Sequence, residues 1–296
     1  MKTFARSIFL FLLFILSSQA SGQDPALRVN LDRAYQQWRA AIQAQDPRAW
    51  AAAITQYRQV VTRNLIVSQR QSFPSAVFAV PLDPPDITGL QLLEAQAVGE
   101  TAHLLYFGKV NLGGDPSQIP NSVLMIKFFN ERGGWRFDST KVLKLADRPE
   151  VVQQIQSGGK LDFLDYPEFT PPGKAPAVPP LCDVPENVAG CTLQSYGFST
   201  TMRINGFDYP VMSDHAEKIF VIGGLKNGPN DVTLTVKPTD IPAGEERLLQ
   251  LDFFVLTGKN GKPPVRVFHY ESKDAALTSP LKLPVVITAD VLEKGR

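Results

Sequence analysis

A proline-rich segment in the middle of the chain most constrains how the chain can fold. Residues 162–181 contain six prolines, at positions 167, 171, 172, 176, 179 and 180. Because proline lacks a backbone N–H and fixes φ, this density disfavours a regular helix or central strand and favours an extended, semi-rigid spacer. We therefore predict a linker at 162–181 between two domains, 28–161 and 182–296.

Helical periodicity opens the first of these domains. Apolar residues recur at helix spacing from Leu31 to Ile42, and Asn30 is the expected N-cap. Asp46-Pro47 is typical of an N-cap followed by proline in the first turn of a second helix. A third helix is predicted over residues 56–69, with an apolar stripe that comprises Tyr57, Val60, Val61 and Leu65.

Strand patterns replace the helical periodicity after residue 90. Two hairpins are predicted: residues 90–98 and 101–110 flank Gly99-Glu100, and residues 122–130 and 135–143 flank Arg132-Gly133-Gly134. Helices followed by a run of antiparallel strands indicate an α+β domain.

Three segments of this domain carry a resemblance to a known superfamily. They are the end of the first helical region, Gln45-Asp46-Pro47-Arg48-Ala49-Trp50, the strand at 100–106 and the hairpin at 124–137. Through them, residues 28–145 resemble the nuclear transport factor 2-like superfamily, whose cone-shaped fold is shared with ketosteroid isomerase-like proteins. The resemblance implies helices packed on a curved antiparallel sheet. Its members include isomerases, dehydratases, transport factors and non-catalytic binders, so it implies a fold and no single activity.

The second domain shows only strand and turn signals. Three Asn-Gly pairs begin at Asn205, Asn227 and Asn260, and this dipeptide is a strong hairpin signal. Residues 232–237 alternate between apolar and polar, which indicates a strand with one buried face. Further strands are predicted at 248–256, 265–270 and 283–292. The spacing predicts a β-sandwich that resembles an immunoglobulin domain in architecture only, because no Trp follows Trp135.

Residues 1–20 have the pattern of an export signal. Lys2 and Arg6 precede an apolar run at 8–16, and Ser18-Gln19-Ala20 places small residues where a signal peptidase reads them. The run is much shorter than the about 20 residues that span a membrane, and no second run of that length follows. We expect cleavage after Ala20 or a few residues later, a periplasmic or extracellular location, and no membrane span in the mature chain.

Charge narrows the classes of partner. Loss of Lys2 and Arg6 with the signal changes the net charge from +1 to about −1, without the basic stripe that nucleic acid requires. We therefore expect no nucleic-acid partner. A small ligand or another protein of the cell envelope is the partner that the sequence leaves open.

The two cysteines, Cys182 and Cys191, allow three interpretations. An even pair at short separation in an exported chain favours a disulfide. Free thiols are the second interpretation. A metal role ranks below both, because no His or other Cys lies close by in the sequence. We predict a Cys182–Cys191 disulfide.

Recognisable catalytic motifs are missing from the sequence. The three histidines, His103, His215 and His269, lie far apart, and no Gly-x-Ser-x-Gly elbow, phosphate-binding glycine loop or zinc-ligand spacing occurs. We therefore predict no catalytic residue, no metal and no cofactor. The segment Asp214-His215-Ala216-Glu217 could touch a cation, but a solvated turn between two strands is the favoured interpretation.

Five side chains are the candidates for a ligand site in the cone: Tyr35, Trp38, Tyr57, His103 and Tyr106. The three on predicted helices could line the mouth of the cone, although an aromatic stripe at helical spacing is more often plain core. His103 and Tyr106 lie three residues apart on one strand. They should therefore point to opposite faces and cannot form a site by themselves.

The strand near residue 125 is apolar on both faces. Val123, Met125 and Phe129 share one face, and Leu124, Ile126 and Phe128 share the other. In a sheet with one solvent-exposed face, apolar and polar residues should alternate along each strand. Because they do not alternate here, another part of the protein or a partner must cover the face away from the helices. The cover could be a second copy in a homodimer, the second domain of the same chain, or local burial of this strand.

Two functions from different classes are compatible with these features. The favoured one is a non-catalytic, exported protein of the cell envelope that binds a ligand or partner. The alternative is an isomerase, dehydratase or hydrolase that acts on a small apolar substrate inside the cone. Two facing ionisable side chains in a pocket would favour the enzyme, and an apolar interior would favour the binder.

Overall fold

The structure is a computed structural model that describes residues 24–79, 83–112, 118–159, 161–256, 263–274, 276–277 and 279–293. The α-helices are α1 (Pro25–Gln43), α2 (Pro47–Ala53), α3 (Gln56–Ser68), α4 (Pro149–Gln156) and α5 (Ala289–Glu293). The strands are β1 (Gln91–Val98), β2 (Thr101–Lys109), β3 (Asn121–Glu131), β4 (Gly134–Lys144), β5 (Ala189–Ile204), β6 (Phe207–Asp208), β7 (Met212–Phe220), β8 (Gly228–Pro238), β9 (Leu248–Val255), β10 (Val265–Ser272) and β11 (Leu281–Ile287). The predicted export signal and the Asn260-Gly261 pair lie outside the described residues.

Two Asp-Pro pairs start the first two helices. The Asp46 carboxylate accepts hydrogen bonds from the N–H groups of Arg48 and Ala49, as predicted for an N-cap. Helix α1 begins earlier than predicted, because Asp24 caps it with Pro25 in the first turn. The predicted cap Asn30 lies inside the helix.

The first sheet is antiparallel in the order β1-β2-β3-β4, which confirms the α+β class of this part of the chain. Both predicted hairpins are present: Gly99-Glu100 joins β1 to β2, and Arg132-Gly133 joins β3 to β4. Arg132 and Gly133 both have positive φ, which a tight hairpin turn requires.

One face of this sheet packs on the helices. Leu104, Leu124, Ile126 and Phe128 from β2 and β3 lie in one core with Leu31 and other residues of α1 and α2. The neighbouring residues Val123 and Met125 lie in a separate core on the opposite face. Both faces of β3 are therefore buried, as the sequence pattern predicted.

The outer face of the first sheet is covered by the chain itself. Ile155 of α4, Leu145 and Phe169 are buried against Leu105, Phe107, Val123 and Met125 of β2 and β3. The predicted homodimer through this face is therefore not supported: residues 145–169 already occupy much of the surface that a second copy would need. The sequence does not indicate this cover, because the prolines at 167–180 are typical of a linker.

The predicted linker at 162–181 also contacts the first sheet. It includes two short 3-10 helices, Asp162–Asp165 and Pro167–Phe169. Further along, the Gly173 carbonyl accepts a hydrogen bond from the Glu100 N–H at 2.8 Å, and the Gly173 N–H donates to Thr101 Oγ1 at 2.9 Å. The segment therefore packs along the β1–β2 hairpin and is not a separate spacer.

The strands β5 to β11 form a second antiparallel sheet, with the order β10-β9-β5-β8-β11 and with β6 and β7 also paired to β5. The long strand β5 pairs with β9 over residues 189–196 and with β8 over residues 198–204. Gly197 separates the two stretches with φ of +70°, and a Cβ there would lie 2.7 Å from side-chain atoms of Ile241 and Arg247. Glycine is therefore required where β5 changes partners.

One apolar core lies within this second sheet. Alternate residues of β8, Val232, Leu234 and Val236, enter it, as the alternation predicted. The Asn205-Gly206 pair forms the predicted hairpin between β5 and β6, whereas Asn227-Gly228 enters β8 from a longer connection. The predicted turn at 214–217 is wrong: these residues lie inside strand β7, which pairs with β5.

The predicted disulfide is absent from the structure, where both cysteines are free and buried. Cys182 packs against α3, and its Sγ lies 3.5 Å from the carbonyl oxygen of Asn64. Cys191 lies on β5 in the second core, where burial above all raises the pKa of its thiol to about 12. Each thiol therefore has its own buried environment in place of a shared bond.

Candidate functional site

A polar stripe on α1 marks the rim of the helix–sheet core. Arg28, Asp32, Tyr35 and Arg39 follow one another at spacings of four, three and four residues, so they lie along one side of the helix. This stripe faces the sheet at one end and the segment at 83–87 at the other. It contains two of the groups that could form a site, Asp32 and Tyr35.

Tyr106 and Asp32 form the closest ionisable pair in this region. The Tyr106 hydroxyl, on β2, donates a hydrogen bond of 2.5 Å to Asp32 Oδ1, and Arg28 Nε lies 3.5 Å from Asp32 Oδ2. Burial, and then the adjacent Asp32 carboxylate, raise the pKa of Tyr106. The hydroxyl thus stays protonated at neutral pH, and its one proton is committed to Asp32.

Tyr35 is bonded to the chain segment that crosses α1. It is fully buried, and its hydroxyl donates a hydrogen bond of 2.7 Å to the carbonyl of Pro85. Arg39 Nη2 lies 3.3 Å from Asp86 Oδ2 and holds the same segment. Burial is the main cause that raises the pKa of Tyr35. Its hydroxyl is therefore occupied in holding this segment against the helix.

Trp38, Tyr35 and Phe137 form an aromatic cluster. The Trp38 ring stacks on Phe137 of β4 with centroids 3.8 Å apart and lies 5.7 Å from the Tyr35 ring. Its indole Nε1–H is buried and has no hydrogen-bond partner in the part of the chain that the structure describes. Tyr57 lies elsewhere, near Phe129 and the Arg58 guanidinium, so it does not join this cluster.

His103 lies on the other face of β2, as the strand geometry predicted. It is buried, and its Nε2 lies 2.9 Å from Glu94 Oε2 on the neighbouring strand β1. Tyr106 belongs to the core under the helices. The two residues therefore have separate carboxylate partners and do not share a site.

The candidates predicted from the sequence do not include the two carboxylates, Asp32 and Glu94, that pair with Tyr106 and His103. Helical spacing could have placed Asp32 beside Tyr35, since the two residues are three apart. No local signal connects Asp32 with Tyr106, which lies 74 positions further along the chain. Long-range pairing of this kind is decided by the packing of α1 on the sheet.

The exposed acidic segment on β7 does not assemble a cation site. Asp214 Oδ1 accepts a hydrogen bond from the Gly197 N–H at 2.8 Å, and His215 Nε2 lies 3.8 Å from Glu217 Oε2. Within the described ranges, no group of three His, Cys, Asp or Glu residues is arranged to hold a metal ion.

No helix in the described ranges combines the length and apolarity needed to cross a membrane.

Comparison of the chain with protein-family models, with curated proteins and with solved structures finds no match in any of the three.

Proposed function

We propose that this chain is an exported, non-catalytic binding protein of the cell envelope, with a nuclear transport factor 2-like cone followed by an immunoglobulin-like sandwich. The export signal pattern at residues 1–20 supports the location. The order of three helices and two antiparallel hairpins, with the helices on one sheet face, supports the cone. The paired strands around one core support the sandwich.

The state of the Tyr106–Asp32 pair carries the non-catalytic part of the proposal. A general acid must offer its proton to a substrate, but the Tyr106 hydroxyl already donates to Asp32 at 2.5 Å. The Asp32 carboxylate is likewise engaged, because its Oδ1 accepts the Tyr106 hydrogen bond and its Oδ2 lies 3.5 Å from Arg28 Nε. The pair is thus satisfied internally and ties α1 to β2.

One observation favours the enzyme alternative. The Asp32 side chain is 30% exposed, so a small substrate could reach it from the rim of the helix–sheet core. In that alternative Asp32 is the base and Tyr106 the acid of an isomerase or dehydratase, and the substrate separates the two groups when it binds.

The test uses the full chain expressed in a bacterium and purified from the periplasmic fraction. We expect an intact mass that begins at Ser21 or a few residues later, and no turnover of isomerase, dehydratase or ester substrates. Asp32→Asn and Tyr106→Phe should lower the melting temperature without any effect on turnover. Tyr57→Phe, which changes a tyrosine outside the pair, is the matched control.

Three results would overturn the proposal. A cytoplasmic chain that retains residues 1–20 contradicts export. A wild-type turnover that Asp32→Asn reduces by about 10²–10⁴-fold while the variant remains folded contradicts the non-catalytic role. Turnover that neither variant changes also contradicts it and places the chemistry outside the pair.

A further inference from the structure

The outer face of the second sheet carries an apolar slot with a glycine as its floor. Gly190 on β5 is paired directly with Phe220 on β7 and with Phe254 on β9. Residues paired across antiparallel strands have their side chains on the same face, so the two phenyl rings flank a position that has no side chain. The missing side chain leaves a gap between the rings.

Further apolar residues extend this slot along the strands. Leu256 and Pro264 continue its wall beyond Phe254, and Thr192 closes the other end. The slot has a volume of about 440 Å³, near the lower end of the range of about 300–1,000 Å³ for small-molecule sites. It is therefore large enough for a single alkyl chain or a similar apolar group.

An uncommitted cation lies at the rim of the slot. Lys218 is paired across the strands with Thr192, two residues along β5 from Gly190 and therefore on the same face as the Phe220–Gly190–Phe254 row. Its ammonium group is exposed and makes no ion pair or hydrogen bond within the described part of the chain. This distinguishes Lys218 from the other charged groups of the face.

Among the residues that the structure describes, the other charges near the slot are already paired. Asp252, in the same row as Thr192, is 6% exposed and accepts hydrogen bonds from Gln250 and His269 at 2.6 and 2.8 Å. Arg266, beside Phe254, lies 3.5 Å from the same carboxylate. The Asp252 carboxylate is thus buried under its partners, and the accessible charges of the described residues directly beside the slot, Lys218 and Arg266, are positive.

We propose that this slot binds a free alkyl carboxylate, with the alkyl chain between Phe220 and Phe254 and the carboxylate at Lys218. Apolar walls favour an alkyl group because the rings lose contact with water when it enters. A cation at the rim favours an anionic head, which stays partly hydrated there and avoids burial of an unpaired charge. The small volume favours a single chain over a two-chain lipid.

The free edge of β7 is the competing binding surface. In the described ranges this strand pairs with β5 along one edge, and no strand pairs with its other edge. An extended peptide could pair there by strand addition. The strand has exposed charged side chains at Asp214, Glu217 and Lys218, and such charges are a common protection of an edge against further pairing. We therefore favour the slot, which is on the face of the sheet.

Calorimetric titration of the purified full chain with octanoate and decanoate, below their micelle concentrations, tests the proposal. We expect decanoate to bind more tightly by about fourfold per added methylene. Decylammonium should bind about tenfold more weakly than decanoate, since its charge is repelled by Lys218. Decanol should fall between them.

Three variants locate the site. Lys218→Gln should weaken decanoate binding by about three- to fivefold, whereas Lys237→Gln, at an exposed lysine of β8, is the matched control and should have no effect.

Gly190→Val should abolish binding because its side chain fills the slot. Its Cβ would lie 3.3 Å from the Ile219 carbonyl, so its melting curve is measured as well. Phe220→Ala, at a side chain 39% exposed, removes a wall at little cost to folding.

Several outcomes would overturn this inference. The inference is wrong if decanoate does not bind, or if decanoate and decylammonium bind equally well. It is also wrong if the Lys218→Gln and Phe220→Ala variants bind decanoate as tightly as the wild type does. Absence of decanoate binding, together with binding of an extended peptide that Phe220→Ala leaves unchanged, would favour the free edge of β7 instead. The proposed function of the helix–sheet part would survive each of these results, because it rests on the Tyr106–Asp32 pair.

Discussion

Several buried polar side chains in this protein are held by partners that lie far away in the sequence. Asp138 on β4 is almost fully buried, and its carboxylate accepts hydrogen bonds from Thr55 Oγ1 and Arg58 Nη2 at 3.0 Å and from Ser139 Oγ at 2.8 Å. Because a buried charge without partners is costly, this arrangement fixes the first turn of α3 against β4. The same requirement for partners or neutrality applies to the two buried thiols.

The thiols should be protected from labelling in the folded protein. Burial raises the pKa of Cys191 to about 12, while an unfolded thiol has a pKa of about 8.5. Between these values the folded state holds its proton and the unfolded state loses it, so the free energy of unfolding should fall by up to about 1.4 kcal/mol per pH unit. We expect no reaction with iodoacetamide at pH 9 in the native protein, and two reactive thiols after unfolding in guanidinium chloride without reductant.

Single-cysteine variants assign the result. In Cys182→Ser the remaining thiol is Cys191, and Cys191→Ala should reduce the loss of stability at alkaline pH. Rapid native labelling of Cys191 would contradict the burial. Unfolded protein without titratable thiols would show that the disulfide predicted from the sequence does form.

Helix α3 contacts both the first sheet and the segment that leads into the second sheet. The sequence pattern predicted a buried stripe of Tyr57, Val60, Val61 and Leu65, but Leu65 is 40% exposed. The buried positions in its last turns are instead Asn64, Ile66, Val67 and Ser68. Two of these are polar because they bond to backbone groups of the second half of the chain.

Asn64 is the centre of this junction. Its Nδ2 donates to the Pro180 carbonyl at 2.8 Å, and its Oδ1 accepts from the Cys182 N–H at 3.0 Å. Ser68 Oγ accepts from the Gly223 N–H at 2.8 Å, and Arg70 donates to the carbonyls of residues 185 and 186. The end of α3 thus fixes the chain as it enters the second sheet.

Replacement of Asn64 should destabilise the whole protein. Asn64→Ala leaves the Pro180 carbonyl and the Cys182 N–H without partners in a buried place, which should cost about 2–4 kcal/mol. The matched control is Asn30→Ala, at an exposed asparagine inside α1, which should change stability by less than about 0.5 kcal/mol. Urea unfolding followed by circular dichroism measures both, and equal stabilities of the two variants would contradict the role of Asn64.

At the scale of the whole molecule, the two sheets are connected through polar contacts as well as through the chain. The proline-rich segment lies along the first sheet, and α3 bonds to residues 180–186 and to Gly223. The sequence predicted a linker between two domains here, and a linker with few contacts would let the two parts fold independently. The contacts instead predict that the two parts unfold together.

The tryptophans make this prediction measurable. All three, Trp38, Trp50 and Trp135, lie in the first part of the chain, so their fluorescence reports on it alone. Phe253→Leu changes a fully buried residue of the second core and should cost about 1 kcal/mol. We expect this change to lower the urea midpoint of the tryptophan signal as much as that of circular dichroism.

Val286→Ala, at a side chain 45% exposed on β11, is the control and should leave both midpoints in place. A tryptophan midpoint that stays at the wild-type value while the dichroism transition splits in two would show independent folding, as the sequence alone suggested.

Local features of the sequence were sufficient for much of the secondary structure. The Asp46-Pro47 start of α2, the turns at Gly99-Glu100 and Arg132-Gly133, and the alternation in β8 all involve residues within one turn or one strand of each other. Their conformations are decided by φ preferences, capping hydrogen bonds and the periodicity of apolar side chains, and these act over a few residues.

Tertiary structure alone decided which elements meet. Tyr106 finds Asp32, α3 turns Asn64 toward the second sheet, and the segment at 145–169 covers the outer face of the first sheet. Each contact joins residues that are tens of positions apart, so it depends on how whole elements pack and not on the residues beside it. The slot at Gly190 has the same origin, because only the register of three strands places Phe220 and Phe254 on either side of a residue without a side chain.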